Sequence, residues 1–100
     1  MTFFSNRIYR VNADGSQECL GSPLNPHDRH GAYALTEWAR RFALPDEAYD
    51  YIDNCWLKLT VERDIVVAYL REFCGDDVAG AYIGPGECQG EKYIIEAEEF

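Results

Sequence analysis

The side chains best suited to metal chemistry lie in the short stretch HDRH. It places His27 and His30 three residues apart, close enough to share a metal ion if the segment is helical. A structural zinc site needs four ligands, and Cys19 is the only nearby candidate for a third. Two histidines in a loop beside Pro26 are more often simply solvated. We therefore expect no metal and no other cofactor.

The glycine-rich stretch GPGECQGEK (84–92) has the composition of a phosphate-binding loop but not its spacing. A Walker motif has four residues between its glycines, followed by Lys and Ser or Thr. Here Gly84 and Gly90 are separated by five residues, and Glu91 precedes the lysine. Cys88 lies between two glutamates whose charges oppose formation of a nucleophilic thiolate. The stretch is better interpreted as a wide hairpin turn.

The many carboxylates could in principle supply an acid and a base for catalysis. Such a pair needs contrasting environments, one buried and one hydrated, and the sequence indicates none. We expect a protein that is not an enzyme.

The net charge of −9 is concentrated in one half of the chain. Residues 1–45 hold four acids and five bases, a net charge of +1. Residues 46–100 hold fourteen acids and four bases, a net charge of −10. Such a half repels nucleic-acid phosphates and anionic lipid and attracts basic surfaces, although acidity can also serve solubility alone. We expect no direct nucleic-acid partner.

The acidity begins in PDEAYDYIDNCW (45–56), where we predict a helix that starts at Pro45 and either includes Cys55 or ends at Asn54 with a strand after it. Ala48, Tyr51, Ile52 and Cys55 would share its buried side, and Asp46, Asp50 and Asp53 the opposite side. Asp46 and Glu47 suit the first turn of a helix. Asp50 and Asp53 do not, because like charges one turn apart cost about 0.2–0.5 kcal/mol. Their presence favours a basic partner.

An alternative for residues 35–52 is a DNA-binding helix-turn-helix that uses Arg40 and Arg41. In such motifs the second helix enters the major groove. Here that helix would present the carboxylates of residues 46–53 to phosphates, which argues against DNA binding.

The remaining elements are predicted from periodicity and turn chemistry. Strands at 6–11 and 16–20 flank the hairpin signal Asp14-Gly15. Helices are expected over 33–43, where Thr36 could cap a shorter version, and from Val61 to Cys74 with Thr60 as N-cap and Gly75 as stop. Strands at 79–83 and 92–99 would flank the glycine-rich loop, while 56–62 alternates like a strand. These elements predict one α+β domain over residues 1–100: an antiparallel sheet built from N- and C-terminal hairpins, with two or three helices on one face.

The cysteines and the apolar runs help to predict the cellular compartment. Cys55 and Cys74 are placed as core residues, and the N-terminus lacks the apolar region of a signal peptide. The apolar run of residues 65–70 is too short to span a bilayer. We expect a cytoplasmic protein with reduced thiols that does not engage a membrane.

In size, acidity and lack of catalytic motifs, the chain resembles anti-CRISPR and antirestriction proteins, the phage- or mobile-element-encoded inhibitors of host defence. The resemblance includes no shared motif. It implies an inhibitor in the host cytoplasm that blocks a basic nucleic-acid-binding surface of a host protein or ribonucleoprotein complex, in effect as a nucleic-acid mimic. Our candidate partner-binding residues are mostly acidic: Asp46, Glu47, Tyr49, Asp50, Asp53, Glu72, Asp76 and Asp77.

Overall fold

The computed structural model describes residues 3–83 and 92–100. Its strands are β1 (Phe4–Val11), β2 (Gln17–Gly21), β3 (Tyr49–Asp53), β4 (Trp56–Glu62) and β5 (Lys92–Glu99). Its α-helices are α1 (Ala32–Ala39), α2 (Arg63–Phe73) and α3 (Asp76–Ile83). Short 3-10 turns cover Arg40–Phe42 and Asp46–Ala48.

The strands form one antiparallel sheet in the order β2-β1-β5-β4-β3. The C-terminal strand β5 therefore lies at the centre, and β2 and β3 are the two edges. Residues Tyr93–Ala97 are all buried, as expected for a central strand. The predicted α+β class is confirmed, with three helices packed against the sheet.

The core lies between one face of the sheet and the helices. On β4 the alternating residues Leu57, Leu59 and Val61 are buried on this face. The helix stripe predicted around residues 33–43 is also confirmed, because Leu35 and Trp38 are buried against the sheet. Each such side chain contributes about 1.5–3 kcal/mol through burial. The opposite face of the sheet carries the residues that alternate with these, including Lys58.

The buried side chain of Asn6 fixes the loop that enters α1. Its Nδ2 donates to the carbonyl of His30 at 2.9 Å, and its Oδ1 accepts the His30 backbone N–H at 3.0 Å. The following residue, Gly31, is the N-cap, and a Cβ there would lie only 3.2 Å from the Phe4 ring. Thr36 is not a cap, because it lies inside α1 and donates to the carbonyl of Ala32.

The helix predicted over residues 45–55 is wrong. Asp46–Ala48 form a single 3-10 turn, and the chain continues as β3, paired with β4 in a hairpin. Aromatic and β-branched side chains favour strands, and the well-patterned β4 provides the pairing partner. Ile52 and Cys55, which we expected to be buried, are exposed. Without a helix here, the second element of the helix-turn-helix does not form.

The segment after β4 also differs from its prediction. The helix starts at Arg63 rather than Val61, with Glu62 as N-cap, and Thr60 belongs to β4. Gly75 is confirmed as the stop: its φ of +100° suits glycine, and its N–H donates to the carbonyl of Leu70 at 3.0 Å.

The predicted strand at 79–83 is wrong, because these residues belong to α3. AGAYI is a short apolar run that fits either structure, and Asp76 and Asp77 in the first turn favour the helix. The predicted glycine-rich turn and Cys88 lie outside the described residues.

Candidate functional site

The edge strand β3 is the most exposed part of the sheet's second hairpin. Four of its five residues are exposed, and Tyr51 and Ile52 retain 50% and 46% of their accessible surface. Within the described residues, β4 is the only strand beside β3. An edge of this kind presents backbone N–H and C=O groups that can pair with another extended segment.

A cleft of about 530 Å³ lies on the helix side of this edge. The register shows why: Tyr49 and Tyr51 pair with Leu59 and Leu57, so they project from the same face as the core. The lining comes from α1, the two 3-10 turns and β3, and comprises Thr36, Arg40, Ala43, Leu44, Asp46, Tyr49 and Tyr51.

Two tyrosines dominate one wall of the cleft. The rings of Tyr49 and Tyr51 are parallel within 7°, with centroids 6.4 Å apart. The Tyr51 hydroxyl lies 2.7 Å from Thr36 Oγ1, and Thr36 gives its own proton to the Ala32 carbonyl, so Tyr51 is the donor. This hydrogen bond joins the edge strand to α1.

Charges of both signs lie near Tyr49. Burial raises the pKa of Tyr49, the neighbouring Tyr51 phenol and the Asp46 carboxylate raise it further, and Arg40 opposes them. The Tyr49 phenol is therefore neutral at physiological pH and can donate a hydrogen bond. Arg40 is already paired with Glu37 at 3.5 Å.

Five of the eight candidate partner-binding residues belong to β3 and the turn before it, and two of them, Asp46 and Tyr49, line the cleft. Asp46 and Glu47 are in the 3-10 turn, and Tyr49, Asp50 and Asp53 are in β3. The structure explains two of these acids locally. Asp50 lies opposite Lys58 in the register of the hairpin, and Asp53 Oδ1 accepts the N–H of Cys55 at 2.7 Å and so shapes the turn.

The other three candidates lie on α2 and α3. Glu72 is 3.2 Å from Arg41 Nη1, and Asp76 is 3.6 Å from Arg71 Nε. Asp77 lies in the first turn of α3. Two of the three carboxylates are thus neutralised by neighbouring bases, which separates them from the group on β3.

The face of the sheet opposite the helices holds a cluster that the sequence analysis missed. Glu96 is a charged residue that is only 3% exposed. It accepts hydrogen bonds from Trp56 Nε1 at 3.0 Å and from the Tyr9 hydroxyl at 3.4 Å. Lys58 Nζ lies 4.0 Å from its carboxylate and over the rings of both aromatic residues. The alternation in KYIIEAEE predicted that Glu96 lies on this face, but it did not predict that Glu96 is buried.

The registers extend this cluster into a row of alternating charge. Arg7 pairs with Glu96, Glu96 with Lys58, and Lys58 with Asp50, across β1, β5, β4 and β3. Opposite charges directly across neighbouring strands stabilise a sheet. Asp50 is therefore the end of an internal row of charges as well as part of the exposed edge.

His30 is a structural residue. Its Nδ1 lies 3.2 Å from the carbonyl of Asp28, which can only accept, so Nδ1 carries the proton. Nε2 then accepts the hydroxyl of the fully buried Tyr69 at 3.1 Å, and Phe73 packs on the ring at 4.7 Å. Burial lowers the pKa of His30 and raises that of Tyr69.

No metal site emerges from the part of the chain that the structure describes. There, no three His, Cys, Asp or Glu side chains are grouped to hold a metal ion. Cys55, predicted to be a core residue, is exposed in the β3–β4 turn, and Cys74 is half-buried. Among the same residues, no helix is long and apolar enough to cross a membrane.

Comparison with protein-family models, curated proteins and solved structures finds no match to this chain.

Proposed function

We propose that this protein is an acidic binding module that docks a basic segment of a partner protein along the β3 edge. The partner is a host defence complex, and the protein inhibits it by occupying the basic surface on which the complex holds nucleic acid. The observation that carries the proposal is the exposed edge strand with acids within it and before it.

The charge around β3 selects the class of partner. Asp46, Glu47, Asp50 and Asp53 fall within eight residues, and all four are exposed. Pairing of β3 with a second copy of itself would bring two such groups together, and a nucleic acid would add phosphates to them. A segment rich in Lys or Arg is instead attracted, and electrostatic steering then accelerates its association.

Because residues 49–53 form a strand and not the predicted helix, the acids contribute to partner binding in a different way. Asp50 and Asp53 have roles within the hairpin, so they do not form the continuous stripe that a nucleic-acid mimic on a helix would present. Glu72 and Asp76 already face arginines. Support for the proposal therefore comes from the β3 edge rather than from acidity spread over half of the molecule.

The inhibitory role is tested with purified CRISPR effector and restriction complexes bound to fluorescent duplex DNA. We expect the protein to release DNA from at least one complex, with an effect that weakens steeply with salt. The double variant Asp46→Asn/Glu47→Gln should release less, because it removes two exposed charges without touching the hairpin bonds.

The matched control is Glu18→Gln/Asp64→Asn, which removes two exposed charges outside β3 and the turn before it and should act like the wild type. No release from any complex, or equal release by both double variants, contradicts the inhibitory role at β3. Binding of the protein itself to duplex DNA at low salt contradicts the choice of a basic partner.

A further inference from the structure

We infer that the cleft beside β3 is a pocket for an arginine side chain carried by a partner strand that adds to the β3 edge. This inference rests on the proposed function, because it names the segment that the edge would dock. It adds a mode of binding, strand addition, and a specificity-determining side chain.

The geometry of strand addition aims alternate side chains at the cleft. A segment paired with β3 continues the pleat of the sheet, so every second side chain projects on the side of Tyr49 and Tyr51. That side is where the cleft lies, between β3 and the C-terminal end of α1. In peptide recognition of this type, main-chain hydrogen bonds supply affinity and pockets for alternate side chains supply specificity.

The lining of the cleft matches the parts of an arginine side chain. Ala43 and Leu44 provide apolar surface for the aliphatic stem. The parallel rings of Tyr49 and Tyr51 provide faces on which a planar guanidinium can stack. Asp46 provides a carboxylate that can accept two parallel N–H bonds.

The other polar groups of the cleft leave this role to Asp46. Arg40 is held by Glu37 at 3.5 Å, so its positive charge is compensated. Thr36 Oγ1 is occupied by Tyr51 and by the carbonyl of Ala32. Lysine is a poorer match than arginine, because its compact ammonium neither stacks nor bonds bidentately.

The test uses nine-residue peptides that alternate lysine with valine and carry arginine, lysine or citrulline, the neutral isostere of arginine, as the fifth residue. Binding is measured by calorimetry, and the affected backbone amides are mapped by NMR. We expect perturbation of the β3 amides, and a dissociation constant about tenfold weaker for citrulline than for arginine, as loss of a charged hydrogen-bonded pair implies. In Asp46→Asn the two peptides should bind within about twofold of each other.

Two controls test the preference for arginine and the strand addition separately. Glu18→Gln on the opposite edge strand should keep the full preference for arginine. An arginine peptide methylated at alternate backbone nitrogens should lose binding, since it cannot pair with the edge.

Failure of the inference differs from failure of the proposed function. If basic peptides perturb β3 but arginine and citrulline bind equally, or the methylated peptide binds normally, the arginine pocket or the strand addition is wrong while the docking edge stands. If no basic peptide perturbs β3, both proposals are wrong.

Discussion

Glu96 and Trp56 are joined by a hydrogen bond in which the indole N–H donates to the carboxylate at 3.0 Å, on the sheet face opposite the helices. This bond anchors the centre of a charge row that ends at Asp50 on the edge strand. The row holds two charges of each sign, and the carboxylates of the turn before β3, Asp46 and Glu47, lie outside it.

Replacing Glu96 with glutamine should destabilise the fold although its shape is kept. The amide cannot balance the charges of Lys58 and Arg7, and its NH2 group replaces the oxygen that accepts from one of the two donors. We expect a loss of about 1–3 kcal/mol in the free energy of unfolding, measured in urea. Glu98→Gln, two residues further along the same face, should change it by less than about 0.5 kcal/mol. Equal effects of the two substitutions contradict a special role for Glu96.

Asp53 should stabilise the hairpin through its hydrogen bond and not through its charge. Asp53→Ala removes the acceptor for the Cys55 N–H and should cost about 1 kcal/mol. Asp53→Asn keeps an acceptor in the same place and should cost much less. The comparison is made by thermal unfolding of both variants. If asparagine is as harmful as alanine, the negative charge itself is what stabilises the turn.

The bond between Tyr51 and Thr36 should couple the edge strand to α1. A double-mutant cycle with Tyr51→Phe and Thr36→Val measures that coupling directly. We expect an interaction energy of about 0.5–1.5 kcal/mol, because the pair is partly exposed. An interaction energy near zero means that Tyr51 is free to move and that the cleft wall is not fixed by α1.

His30 should make stability depend on pH in a defined direction. Burial lowers its folded-state pKa below the ordinary value of 6.5, so the unfolded chain binds a proton first as the pH falls. The stabilising contribution of neutral His30 is complete above pH 6.5 and is lost as the pH drops below that value. Ordinary carboxylates titrate at lower pH and do not obscure this window.

The measurement is the free energy of unfolding between pH 7.5 and pH 5.5. Wild type and His27→Gln, which alters an exposed histidine, should decline in parallel. His30→Gln should be less stable at pH 7.5, because it disturbs the contact with Tyr69, but should decline less. A parallel decline of all three proteins contradicts the role given to His30.

The sequence predicted those elements for which the turn residues and the hydrophobic periodicity indicate the same local structure. Asp14-Gly15 marked the first hairpin, Leu35 and Trp38 marked α1, and the alternation of 92–99 marked β5. In residues 45–55 the signals conflict. Ala48, Tyr51 and Ile52 fit a helical period, while Tyr49 and Tyr51 fit a strand, and pairing with β4 decides between them.

The partner-binding role of the candidate residues stays a prediction, and the structure adds their arrangement. Asp46, Glu47, Tyr49, Asp50 and Asp53 do lie together, because any local structure keeps neighbours close. The cleft needs Thr36 and Arg40 from α1 and the turn after it, and the burial of Glu96 needs three strands side by side. Such contacts depend on strand order, which local periodicity does not contain.

The proposed docking edge is β3 and not the acidic surface at large. Hydrogen exchange of the backbone amides, with and without a saturating basic partner segment, tests it most directly. We expect slower exchange at the outward-facing amides of β3 and unchanged exchange at β2 and at the start of α3. Protection at α3 or at β2 with none at β3 would contradict it.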